Sequence, residues 1–227
     1  HWLSPGHGTA IRDARYAALE AAAEPGERVL LGHTLDDQAE TVLLGLARGS
    51  GTRSLAGMPA ERGPFVRPLL GLGREVTAAV CAQLGLPVWH DPHNAERRFA
   101  RVRVRDAVLP LLERELGPGV REALARTAAL ARQDADALDA IAASELASNP
   151  ETLSCTRLAG LSDAVRSRVI RGWLLARGAL EVAAVQTAAV SALVSDWRGQ
   201  GPLDLPGLRV ARSGDELRAM PPAAAVG

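Results

Sequence analysis

Residues 28–41 read Arg-Val-Leu-Leu-Gly-His-Thr-Leu-Asp-Asp-Gln-Ala-Glu-Thr and join a short apolar run to an amphipathic segment. The apolar run at 28–32 predicts a buried strand. Thr34 is a suitable N-cap for a helix over 35–48. The apolar residues of that segment share one helical face, and they are Leu35, Ala39, Val42, Leu43 and Leu46. The segment 49–51, Gly-Ser-Gly, then ends the helix.

The same alternation continues on both sides of this stretch. A helix is predicted at 10–23, where Pro25 and Gly26 stop it. Further elements are predicted as a strand at 65–69, a helix at 74–84 and a short strand at 88–89. Strands that alternate with helices predict an α/β fold, with a parallel sheet covered by helices.

The pattern becomes helical after residue 94. Pro110 is expected to kink a helix or to start a new one, and the stretch at 120–147 has almost no helix breaker. Further helices are predicted at 161–177 and 182–197, followed by a tail at 199–217 with turns and short β-like runs. We place a boundary near residues 117–119, Gly-Pro-Gly, which gives an α/β domain at 1–116 and a mainly helical domain at 117–227.

Composition excludes several classes of protein. Of the 227 residues, 47% are hydrophobic and 23% are charged, which is enough for a packed core. No apolar run reaches the roughly 20 residues of a membrane span, so a soluble, cytoplasmic protein without a membrane partner is expected. The two cysteines exclude a disulfide framework and a four-cysteine zinc site. Nothing in the sequence indicates an oligomeric state.

Charge is balanced but unusual in kind. The formal net charge is zero, which argues against a wholly basic nucleic-acid binder but allows a local basic patch. All 26 basic residues are arginine. Codon bias in a GC-rich genome explains this, and so does selection for forked donors that hold phosphate or carboxylate groups. Both explanations stay open.

Three carboxylates, those of Asp36, Asp37 and Glu40, lie in the first two turns of the helix predicted at 35–48. Acids favour a helix N-terminus because the macrodipole stabilises them there. Three together also repel one another, and Mg²⁺ or a cationic substrate would relieve that repulsion. The spacing alone leaves both interpretations open.

A second candidate region is rich in arginine. Arg67 ends the strand predicted at 65–69, and ligands bind at such strand ends in open α/β sheets. Five arginines fall within nine residues further along, and they are Arg97, Arg98, Arg101, Arg103 and Arg105. This run is either a solvated basic face or a contact for polyphosphate or nucleic acid.

These segments together resemble the tRNA(Ile)-lysidine synthetase family of the PP-loop ATP-pyrophosphatases. The most specific part is 35–41, Leu-Asp-Asp-Gln-Ala-Glu-Thr, and it is supported by 48–51, Arg-Gly-Ser-Gly, and by 67–69, Arg-Pro-Leu. The resemblance continues through 91–94, Asp-Pro-His-Asn, to the Pro-Leu-Leu at 110–112. It implies a parallel-sheet nucleotide-binding domain of the PP-loop or HUP-like type.

The resemblance implies an enzyme that uses ATP and Mg²⁺. Such an enzyme adenylates the wobble cytidine of an isoleucine tRNA with a CAU anticodon, and free lysine then displaces AMP to form lysidine. Matched by motif, Asp37 and Glu40 are implied to recognise lysine or to act in catalysis, and Asn94 and Arg105 belong to the same site. His33, after the strand, is a candidate nucleotide contact, and no protein metal ligand is assigned. The second domain is implied to dock tRNA.

The chain departs from the family pattern at one important point. The phosphate-binding motif Ser-Gly-Gly-x-Asp-Ser is absent from these residues, so we expect the nucleotide-binding domain to be incomplete at its N-terminus. Two alternatives follow: a tRNA-binding fragment without catalysis, or a related PP-loop tRNA-thiolation enzyme. Cysteine pairs would favour thiolation, and Cys81 and Cys155 do not form one.

Overall fold

The structure is a computed structural model, and it describes residues 5–49, 51–89, 91–92, 96–148 and 151–222. The chain divides into two compact units, His1–Gln133 and Asp134–Gly227. The domain ranges predicted from the sequence, 1–116 and 117–227, stay a prediction.

The first unit contains helices around a small sheet. Its helices are α1 (Pro5–Ala22), α2 (Leu35–Ala47), α3 (Thr52–Leu55), α4 (Arg74–Gln83), α5 (Ala100–Arg103), α6 (Leu109–Leu116) and the first part of α7 (Val120–Ala147). Its strands are β1 (Val29–Leu30), β2 (Glu61–Arg62) and β3 (Phe65–Val66).

The sheet confirms the predicted parallel pairing and adds one strand. β1 runs parallel to β3, with Val29 opposite Phe65. β2 pairs antiparallel with β3, so the strand order is β1-β3-β2. The strand predicted at 88–89 is wrong, because these residues are not assigned to a strand. Trp89 is 78% exposed there, so this apolar pair lacks the burial that a sheet strand requires.

Helix α2 packs against the helical run that begins with α5. Ala39 and Val42 of the predicted apolar face are buried, whereas Leu46 near the end of the helix is exposed. In the helical run that begins with α5, Val102 and Leu109 are buried. This packing sets the first turns of α2 beside the arginine-rich segment.

Between α5 and α6 the backbone forms a π-helical segment, Val104–Val108. α5, the π-helical segment and α6 follow one another without a break. Pro110 is the second residue of α6, as expected for a proline that starts a helix. The wider turn before it was not predicted.

The second unit combines helices with an antiparallel sheet. Its elements after α7 are α8 (Cys155–Ala159), α9 (Asp163–Ala176), α10 (Ala184–Ser195), β4 (Leu153–Ser154), β5 (Leu203–Leu205), β6 (Leu208–Ser213) and β7 (Glu216–Met220). The strand order is β4-β7-β6-β5. The helices predicted at 120–147, 161–177 and 182–197 are confirmed, and the short β runs of the tail form β5 to β7.

The core of this unit lies around α9. Trp173, Ile170 and Leu174 are fully buried there, together with Val190 and Val210. Among the described residues, no helix is both long enough and apolar enough to cross a membrane.

Candidate active site

The first turns of α2 are held by hydrogen bonds of two of their own side chains, Asp37 and Gln38. The backbone amide of Thr34 donates to Asp37 Oδ2 at 2.9 Å, and the Thr34 hydroxyl donates to the same oxygen at 3.1 Å. The Gln38 amide group both donates to the Met58 carbonyl and accepts from the Met58 backbone amide. Asp37 therefore acts as the reciprocal cap of the helix, which is the structural role that its position favours.

Glu40 lies one turn further on and is fully buried. Arg105 donates to both of its oxygens, from Nε to Oε1 at 2.7 Å and from Nη2 to Oε2 at 3.3 Å. This hydrogen bond raises the pKa of Arg105. A buried carboxylate needs such partners, since an unpaired charge away from water is strongly disfavoured.

Two further arginines reach the same carboxylate. Arg101 Nε lies 3.4 Å from Glu40 Oε2, and Arg101 Nη2 donates to the Thr41 hydroxyl at 2.9 Å. Arg74 Nη2 lies 3.6 Å from Glu40 Oε1 and 3.5 Å from Asp37 Oδ1. Three guanidinium groups from two other segments thus converge on one buried oxygen pair.

Asp36 is held by backbone and by a fourth arginine. Its Oδ2 accepts from the Arg74 backbone amide at 2.7 Å, and its Oδ1 forms an ion pair with Arg121 Nε at 3.2 Å. Arg121 also contacts Glu113, whose carboxylate accepts from the Gly119 amide before α7. The repulsion among the three acids is therefore relieved within the protein.

We name these residues the acid–arginine cluster: Asp36, Asp37, Glu40, Arg74, Arg101, Arg105 and Arg121. In the part of the chain that the structure describes, no group of three or more His, Cys, Asp or Glu side chains could hold a metal ion. The carboxylates of the cluster are satisfied by guanidinium and amide groups instead. Arg74 and Arg101 keep about two fifths of their side-chain surface exposed, so their guanidinium groups can also donate to a group outside the cluster.

His33 borders the cluster at the end of β1. Its Nδ1 is buried and finds no hydrogen-bond partner among the described residues. Burial lowers the pKa of His33, the nearby Asp37 raises it, and Arg67 and Arg101 lower it further, with a lowered pKa as the result. The imidazole is therefore neutral near pH 7, with a polar atom available for a ligand.

Arg67 serves the framework beneath the site. Its buried guanidinium donates to the Pro59 carbonyl at 2.8 Å and to the Tyr16 hydroxyl at 3.1 Å. Tyr16 in turn stacks edge-on against Phe65. Arg67 therefore links α1 to the loop before β2.

The structure brings together most of the residues that the sequence singled out. Asp37, Glu40 and Arg105 lie in one cluster, with His33 beside it. Asn94 falls outside the described residues.

The five arginines between residues 97 and 105 fall into two groups, those that contact Glu40 and those that are exposed. Arg101 and Arg105 face Glu40, whereas Arg97, Arg98 and Arg103 are exposed. Arg103 donates to the carbonyls of Arg97 and Arg98 and so shapes the loop locally. Arg101 and Arg105 therefore serve an internal ion pair that neither interpretation of the run included, and the choice between a solvated face and a nucleic-acid contact stays open for the exposed members.

Sequence reasoning missed Arg74 and Arg121. Each begins or nearly begins a helix, and each reaches α2 across a long stretch of chain. Arg74 follows a Gly-Leu-Gly turn, an ordinary helix start with no pattern of its own. The only available signal was that three crowded acids require cationic neighbours.

Two family models match the chain. The PP-loop domain matches residues 6–112, and the TilS substrate binding domain matches residues 153–224. The tRNA(Ile)-lysidine synthase of Leifsonia xyli subsp. xyli is 52% identical over 221 residues, which are 93% of this chain and 67% of the relative. The chain belongs to the tRNA(Ile)-lysidine synthase family.

Two other members of the tRNA(Ile)-lysidine synthase family are similar to this chain over most of its length. The enzyme of Mycobacterium bovis is 56% identical over 202 residues, 86% of this chain and 62% of the relative. That of Thermobifida fusca is 49% identical over 217 residues, 92% of this chain and 67% of the relative. The chain thus spans about two thirds of the length of these relatives. All of the acid–arginine cluster except Arg121 lies within the PP-loop match.

Proposed function

We propose that this chain is the part of a tRNA(Ile)-lysidine synthase that carries the lysine-ligating site. The reaction joins free lysine to the wobble cytidine of an isoleucine tRNA with a CAU anticodon, through an adenylated tRNA intermediate, at the expense of ATP. The observation that carries the proposal is the pairing of Arg105 with buried Glu40 on the helix that bears the family motif.

We propose different tasks for the two acids of the motif. The side chain of Asp37 keeps 16% of its surface exposed, whereas Glu40 has no exposed surface. A lysine ammonium therefore meets Asp37 first, because a carboxylate must be accessible to accept from an incoming cation. Glu40 instead holds the guanidinium of Arg105 in a fixed direction.

Arg105 is proposed to stabilise the charge that develops on the phosphate as lysine displaces AMP. A guanidinium suits this task because it stays charged and donates from several nitrogens in one plane. Preorganised donors of this kind are among the largest contributions to catalysis, since they need not reorient during the reaction. Asn94 is proposed to belong to the same site.

ATP is the proposed energy source, and His33 is the proposed nucleotide contact. Its unpartnered, buried Nδ1 fits a polar atom of a nucleotide. Mg²⁺ is proposed to accompany the ATP phosphates, as it commonly does in nucleotide sites. The described residues contain no group of three or more carboxylate, histidine or cysteine side chains that could hold a metal ion, so we assign no protein ligand to it.

The second unit is proposed to bind tRNA, with support from its match to the TilS substrate binding domain. The proposed place of action is the cytoplasm, where tRNA and ATP occur together.

The proposal is tested by Asp37→Asn in a protein of the full length found among the family's enzymes. Asparagine keeps an oxygen for the Thr34 amide but loses the charge, so the helix cap persists while ammonium binding fails. We expect lysine incorporation into the CAU tRNA to fall about 10²-fold or more. The measurement is incorporation of labelled lysine, with Asp13→Asn on α1 as the control.

Thermal unfolding of both variants completes the test. Loss of a dipole contact alone costs about 0.3–1 kcal/mol and leaves activity intact. Retained lysine incorporation in Asp37→Asn would reject the catalytic role of this acid. Equal incorporation into a tRNA with another anticodon would reject the proposed substrate.

A further inference from the structure

The helical run from α5 to α6 contains one turn that is wider than an α-helix. The Leu109 amide donates to the carbonyl of Val104, five residues earlier, where an α-helix would use the residue four earlier. Arg105 lies inside this π-helical segment. The widened turn therefore sits where the helix presents a proposed catalytic side chain.

Pro110 gives a direct physical reason for the wider turn. It has no amide hydrogen, so it leaves the carbonyl of Asp106 without its α-helical donor. In a regular α-helix the proline ring would also collide with that carbonyl. Closing the preceding turn over five residues moves the backbone away from the collision.

The wider turn changes which side chains share a face. In an α-helix a step of four residues overshoots a full turn by about 40°, so two such steps drift by about 80°. A turn closed over five residues removes most of this drift. In the structure, Arg101 and Arg105 both reach Glu40, and Leu109, four residues further, is buried.

We propose that Pro110 is a positioning residue, which acts by holding the π-helical turn that directs Arg105 onto Glu40. Pro110 itself needs no contact with a substrate. The placement of Arg105 follows from the fold alone, whereas the consequence for the reaction rate rests on the proposed function.

Pro110→Ala tests the placement. Alanine restores the amide donor and favours a regular α-helix, so the turn closes and Arg105 rotates away from the carboxylate. The measurement is the ¹⁵N-edited NMR signal of the Arg105 Nε–H group, identified by its loss in Arg105→Ala. We expect slow hydrogen exchange at this group in the unmodified protein and at least a tenfold faster exchange in Pro110→Ala.

The matched control is Pro118→Ala, in the loop between α6 and α7, which should leave the Arg105 signal unchanged. An Arg105 Nε–H group that stays protected in Pro110→Ala would overturn the proposal. Pro110→Ser, which also restores the donor, is the second variant. Loss of folding in both variants would overturn the proposal as well, because proline would then be required by the fold itself.

The rate is tested by a double-mutant cycle at the full length of the family's enzymes. Misplacing a catalytic group by about 1 Å costs up to about 10²-fold, so Pro110→Ala should slow single-turnover lysine transfer at saturating tRNA by about 10–100-fold. In an Arg105→Ala background the same change should have no further effect, because Pro110 acts through Arg105. Equal slowing in both backgrounds would overturn the proposal. If the Arg105 Nε–H group lost its protection from exchange in Pro110→Ala while the rate of lysine transfer stayed the same, the proposed role of Arg105 in the reaction would instead be rejected.

Discussion

Replacing Glu40 by glutamine removes the charge that holds three arginines together. Glutamine has nearly the same shape and keeps one carbonyl oxygen for Arg105 Nε. Its amide nitrogen, however, faces guanidinium groups where Glu40 had a second acceptor oxygen. Because this side chain is fully buried, water cannot restore the lost interaction.

The expected loss of stability follows from the burial of each partner. Removing one member of a buried ion pair costs about 3–5 kcal/mol when the other member stays buried. Here Arg105 is 23% exposed and Arg74 is 40% exposed, so the abandoned guanidinium groups are partly hydrated. We therefore expect Glu40→Gln to lower the free energy of unfolding by about 2–3 kcal/mol.

Urea denaturation followed by circular dichroism measures this loss. Glu61→Gln is the matched control, because Glu61 pairs with Arg28 at 2.8 Å while both side chains are more than half exposed. An exposed pair contributes at most about 1 kcal/mol. If Glu40→Gln cost no more than Glu61→Gln, the buried carboxylate would not be what stabilises the cluster, and the reasoning from burial would fail.

Three further predictions concern pH, salt and the rate of the chemical step. The pKa of folded His33 lies below its ordinary value of 6.5, so its contribution to stability is present above about pH 6.5 and is lost as the pH falls below it. Between pH 7 and pH 5 the free energy of unfolding should therefore fall more in the unmodified protein than in His33→Gln. Parallel pH profiles of the two proteins would contradict this. Arg97→Ala with Arg98→Ala should weaken tRNA binding and reduce its salt slope by about 0.7–0.9 per lost phosphate contact, measured by filter binding. Arg105→Ala should instead slow single-turnover chemistry at saturating tRNA, and a change in salt slope alone would contradict its catalytic role.

The longer helices could be predicted from local patterns, whereas the short α3 and α8 were not. In α7, Val120–Ala147, the stretch almost without breakers that predicted the helix coincides with the observed helix. In α2 the apolar spacing and Thr34 give the start, and Gly49 follows the end closely. These signals are local, so one sequence is sufficient to recognise them.

Strands and the widened turn depend on more than local pattern. The residues at 88–89 are apolar and β-prone, yet they are exposed and belong to no strand. β2, Glu61–Arg62, is polar and exposed and joins the sheet only because a tight turn brings it to β3. Pro110 signalled a disturbance, but only the packed helix shows that the disturbance widens the preceding turn.

The residues of the site that lie close together in the sequence could be predicted. Asp37 and Glu40 lie within one motif, and the resemblance connects them to Arg105. Arg74 reaches these acids, and Arg121 reaches the neighbouring Asp36, only because helices distant in sequence meet at the start of α2. No spacing rule encodes such a meeting, which depends on how the apolar faces pack.

The arginine-only composition has a structural consequence whatever its origin. Arg105 donates from two nitrogens to the two oxygens of Glu40, and Arg177 on the second unit holds Glu151 in the same bidentate way. An exposed pair such as Arg28 with Glu61, in which both side chains are more than half exposed, needs no such fork, so codon bias is sufficient to explain arginine at positions of that kind. At position 105 lysine is not equivalent, because a single ammonium has no planar fork to align with both oxygens. The direction of the guanidinium, rather than its charge alone, is what the buried carboxylate fixes.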